Sequence, residues 1–85
     1  MSKDQKIKHL EGVIYRLTYK NKPDELYEMI NSELNNEHGS EIPNQQYVKD
    51  LNNTKRKLGI DSFKESKKSF KQDMTDEIDR LKFRK

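Results

Sequence analysis

The chain has 85 residues, of which 29% are hydrophobic and 39% charged, with no cysteine and no tryptophan. One small domain spanning 1–85 is the most that such a length supports. Without cysteine there is no disulfide framework, no thiolate zinc site and no cysteine nucleophile, and no apolar run is long enough to span a membrane. The opening residues Ser2-Lys3-Asp4-Gln5-Lys6 lack the apolar core of a signal peptide, so the expectation is a soluble, cytoplasmic protein.

Net charge is +3, but it is unevenly distributed. Residues 1–23 carry six basic and two acidic groups, residues 24–42 carry six acidic groups and no Lys or Arg, and residues 43–72 carry eight basic and three acidic groups. Such blocks speak of fields and partners rather than of fold. Lysine outnumbers arginine fourteen to four and alanine is absent. That bias fits an A+T-rich genome, such as a low-G+C bacterium or one of its phages or plasmids.

The apolar residues recur at helical spacing throughout, which argues against disorder despite the low hydrophobicity. Ile7, Leu10, Val13, Ile14 and Leu17 predict a first helix over about 3–19, opened by a Ser2/Gln5 capping box. Gly12 inside it either costs roughly 1 kcal/mol relative to Ala or admits a close neighbour. Pro23 suits a first helical position, and Asp24, Glu25 and Glu28 suit the positive end of a helix dipole. Leu26, Met29, Ile30 and Leu34 then predict a second helix over about 24–37, with Gly39 as its stop.

The Gly39–Asn44 stretch is a turn by composition, and Asn44 can cap a third helix. Tyr47, Val48, Leu51 and Leu58 place that helix at about 45–58, with Gly59-Ile60 in the form of a Schellman stop. Asp61 or Ser62 caps a fourth helix over about 62–82. Its stripe is Phe63, Phe70, Met74, Ile78 and Leu81, and the sequence leaves open whether it is one rod or breaks around Asp73–Thr75. The fold class is therefore all-α: a small bundle of three to four helices, with a helix-turn-helix-like central pair and a long amphipathic C-terminal helix. So thin a core invites self-association. Phe70, Met74, Ile78 and Leu81 are the expected oligomerisation seam of a homodimer.

Helix, glycine-containing turn, helix is the outline of a helix-turn-helix. The outward side of the third helix offers Gln45, Gln46, Lys49, Asn52 and Arg56, side chains suited to base edges. Lys55 and Lys57 at its end, and the stripe Lys64, Lys67, Lys68 and Lys71, suit phosphates. Any amphipathic helix, however, shows polar residues opposite its apolar stripe. Tyr15-Arg16 and Tyr19-Lys20 have the form of a stacking platform for unpaired bases, although tyrosine also commonly rims a small core. His9 and His38 have no neighbouring ligand motif, so no metal or cofactor is expected and both read as surface residues. No nucleotide loop or hydrolase motif is present, and an enzyme is not expected.

The spacing of Tyr47-Val48, Leu51, Gly59-Ile60 and Phe63 resembles the terminal segment of DnaD-like replication-initiation domains. It covers under a quarter of the chain and has Lys55 where an aromatic residue belongs. The same stretch looks equally like a generic phage helix-turn-helix, and it carries no claim of membership in either. The resulting expectation is a small DNA-binding protein of transcriptional or replication control, with duplex preferred over single-stranded DNA. The competing expectation, from the acidic block, is an adaptor or inhibitor that docks on a host protein through Asp24, Glu25, Glu28, Glu33 and Glu37.

Overall fold

The structure is a computed structural model that describes residues 2–41, 43–60 and 62–83. It contains four helices: α1 (Lys3–Leu17), α2 (Pro23–His38), α3 (Gln45–Lys57) and α4 (Phe63–Phe83). No strand occurs among the described residues.

Local sequence explains most of the helix ends. The Ser2 Oγ accepts the Gln5 N–H at 3.3 Å, and the Gln5 Oε1 accepts the Ser2 N–H at 3.0 Å, which is the reciprocal capping box. α1 stops two residues before the expected Tyr19. The Thr18 hydroxyl turns back onto the Tyr15 carbonyl at 2.7 Å, and Tyr19 and Lys20 close i→i+3 bonds. Pro23 begins α2 with fixed φ and no orphaned N–H. Asn44 caps α3 by accepting the Tyr47 N–H at 3.0 Å. Ser62 caps α4 through the Glu65 N–H at 3.3 Å; the alternative cap, Asp61, lies outside the described residues, as does Ile42 of the α2–α3 turn.

One expectation at a helix end is corrected, and one inside a helix is resolved. Gly59 does not form a Schellman stop, because no glycine has positive φ. α3 instead unwinds through i→i+3 bonds, and Ile60 is 79% exposed rather than folded back onto the helix. Gly12 faces open space, with nothing within 4 Å of where a Cβ would stand. It therefore lowers helix propensity without admitting a neighbour.

α4 is one unbroken helix of 21 residues, and it packs against each of the other three. At 1.5 Å per residue it is about 31 Å long, close to the 36 Å long axis of the molecule. The core takes Leu10, Val13 and Leu17 from α1, Leu26, Ile30 and Leu34 from α2, and Tyr47 and Leu51 from α3. Phe70, Met74, Ile78 and Leu81 of α4 complete it. Those four were the expected oligomerisation seam. They are instead buried within the single chain, because α4 is the element the other three helices need to cover their own apolar faces.

Candidate nucleic-acid interface

Three glutamates are sealed inside this bundle: Glu33, Glu37 and Glu77. Glu33 Oε1 pairs with His9 Nε2 at 2.8 Å, and Glu37 pairs with Lys6, so both join α2 to α1. Glu37 Oε2 also accepts the Asn44 N–H at 3.0 Å. Glu77 accepts from the Asn44 side chain and, at 2.9 Å, from Arg80 Nε. Burial raises the Glu33 pKa above the ordinary carboxylate range, and His9 only partly offsets this. Asp73 is raised for the same reason, although it accepts the Thr54 hydroxyl at 2.8 Å.

The acidic docking face expected on α2 is corrected accordingly. Glu33 and Glu37 point inward, and Glu25 lies 3.7 Å from Lys20. Asp24 and Glu28 alone of the five are fully exposed. The signal was present in the spacing. Leu26, Ile30, Glu33, Leu34 and Glu37 recur at intervals of three and four and so share one helical face. His9, read as a surface residue, is likewise part of the α1–α2 junction. Inward-turned carboxylates leave a more basic exterior. Among the described residues, eleven lysines and arginines are exposed against seven aspartates and glutamates.

On α3, Gln45, Lys49, Asn52 and Arg56 are all exposed. Their spacing of four, three and four places them within roughly 60° of one another around the helix axis. No carboxylate interrupts them. Asp50, the one acid of α3, is held at the side by Gln46 Nε2 at 3.0 Å and by Arg80 at 3.6 Å. Arg56 donates to Asn53 at 3.1 Å, which steadies it without neutralising it. Asn44, at the start of the helix, is spent on its cap and on Glu77. Lys55 lies 5.1 Å from the centre of the Tyr27 ring, so part of its reach goes to α2. Lys57 is exposed beside it.

The four lysines of α4 lie elsewhere. Lys67 Nζ donates to the carbonyls of Lys20 and Thr18, at 2.9 and 3.3 Å, and so satisfies the frayed end of α1. Lys64, Lys68 and Lys71 face Ile14 and Thr18 across a shallow groove. α3 instead packs on the side of α4 that carries Asp73, Glu77 and Arg80. At 100° per residue, the lysines stand roughly 120–180° around α4 from Asp73. The expected single interface thus resolves into two separate basic surfaces. The sequence could not separate them, because which flank of α4 receives α1 and which α3 is decided only by tertiary packing.

No protein family, characterised protein or solved structure matches this chain.

Proposed function

We propose that the protein binds duplex DNA through the solvent face of α3, as a small regulator of transcription or replication. The observation that carries this reading is the carboxylate-free row Gln45, Lys49, Asn52 and Arg56. Amides can pair with adenine, and lysine or arginine with guanine or the backbone. The row extends over about 16 Å of helix, and a helix about 10–12 Å across fits a major groove about 12 Å wide. In this reading α2 and α3 act as a helix-turn-helix-like pair, and Lys57 adds a phosphate contact at the far end.

Fluorescence anisotropy of a random duplex, titrated with the protein at several salt concentrations, tests it. The expected result is salt-dependent binding whose log–log slope falls by close to two when Lys49 and Arg56 both become Ala. Circular dichroism checks that the double variant keeps its helices. An unchanged slope, or no binding at low salt, would overturn the reading.

A further inference from the structure

The second basic surface carries features that the α3 face lacks. Tyr15 and Tyr19 are each 65% exposed, although tyrosine at the rim of a small core is ordinarily half-buried. Their ring centroids are 5.4 Å apart, with the planes at 73°. The Tyr19 hydroxyl donates to that of Tyr15 at 3.1 Å. The two rings therefore hold one another in a fixed edge-to-face relation while leaving π-surface open to solvent.

Chain connectivity brings the end of α1 that carries the pair to α4. Tyr19 lies between Thr18 and Lys20, whose carbonyls both accept from Lys67. The backbone that carries the aromatic pair therefore adjoins the lysine edge of α4. Since Lys67 is spent on those carbonyls, the cations left are Lys64, Lys68 and Lys71. All three are exposed, and no hydrogen bond or ion pair engages their ammonium groups among the described residues. Lysines on successive turns repel one another unless an anion relieves them. No carboxylate lines the groove they share with α1, although Lys68 also borders Glu65 and Asp73 on its other side.

We infer that this edge is a second nucleic-acid site, built for an unpaired strand. Lys64, Lys68 and Lys71 take successive phosphates, while Tyr15 and Tyr19 offer their faces to bases. Stacking demands unpaired bases, because a duplex hides its base faces between neighbouring pairs. An acidic protein segment would match the lysines but would leave the two aromatic faces unused. The inference stands on residues of α1 and α4 and does not rest on the reading of α3.

The probe is a fluorescein-labelled oligothymidylate of about 15 nucleotides, within the span one small domain can cover. It is titrated with the full chain at several salt concentrations. Three lysine contacts predict a log–log slope near −2, at roughly −0.7 per contact on single strands. Changing Lys64, Lys68 and Lys71 together to Gln should remove most of that slope. The Tyr15→Leu and Tyr19→Leu changes should each weaken binding by about tenfold with the slope retained, since stacking is lost and charge is not. Tyr15→Phe and Tyr19→Phe should restore it. Lys49→Ala with Arg56→Ala should leave oligothymidylate binding unaltered, so failure of the α3 reading and failure of this one are separately visible. Binding insensitive to the leucine changes overturns the inference. So does absence of oligothymidylate binding at about 50 mM salt; if poly-glutamate binds there instead, and the lysine variant abolishes it, the groove belongs to an acidic protein segment.

Discussion

The Tyr47 hydroxyl is buried with no hydrogen-bond partner among the described residues. Burial, reinforced by Glu33, Glu37, Glu77 and Asp73, drives its pKa far above the ordinary phenol range. The phenol is therefore neutral at any physiological pH, and its proton serves no partner. A buried polar group left unpaired costs about 1–3 kcal/mol. Tyr47→Phe keeps the ring that fills the core and removes only that oxygen. The expected outcome is a gain of about 1 kcal/mol in urea unfolding, with the denaturant slope unchanged. A loss of stability would mean that the hydroxyl is bonded in solution. Sequence reasoning placed Tyr47 correctly in the apolar stripe of α3. It could not anticipate the carboxylates around it, since hydrophobic periodicity assigns glutamate to the outside by default.

At the scale of elements, the helix starts and the four-helix count were legible because each start has a local chemical cause. Ser2, Asn44 and Ser62 each accept an N–H three residues on, and Pro23 fixes its own φ at the first position of α2. The joining of α1 to α2 was not legible, because it runs through His9–Glu33 and Lys6–Glu37, pairs 24 and 31 positions apart. The Glu33 junction has a pH signature. Its carboxyl is titrated at a higher pH in the fold than the ordinary 4.5 of the unfolded chain. The folded state therefore binds more protons in that window. The stability this contributes is fully present below about pH 4.5 and is lost as pH rises through the raised folded value. Glu33→Gln keeps a neutral hydrogen-bonding group and removes the ionisation. Relative to the parent, this variant should be more stable at pH 7, and the difference should shrink steadily on acidification toward about pH 4.5. Urea unfolding of both proteins across that range measures it. A difference that is flat with pH, or that grows on acidification, would show that His9 compensates Glu33 in full.

At the scale of the whole molecule, two basic surfaces lie on different flanks of α4. The short axes of the molecule are 21 and 19 Å, about twice the Debye length of about 10 Å at 0.1 M salt. A charge on one surface is thus largely screened from a ligand on the other. On the proposed reading, a single rigid duplex docked on α3 would not reach Lys64, Lys68 and Lys71 around the helix. Changing those three to Gln should therefore alter the salt slope for a short duplex by well under one unit. Three contacts on that duplex would instead remove close to three units, at roughly 0.9 each. Combining the three with Lys49→Ala and Arg56→Ala should give the slope of the latter pair alone, as expected for distant, independent sites. Titrating the parent and the three variants against one duplex measures this. A fall of two or three units from the lysine changes alone would mean that one duplex wraps both flanks. The proposed strand-binding edge and the α3 face would then be parts of a single continuous path for nucleic acid.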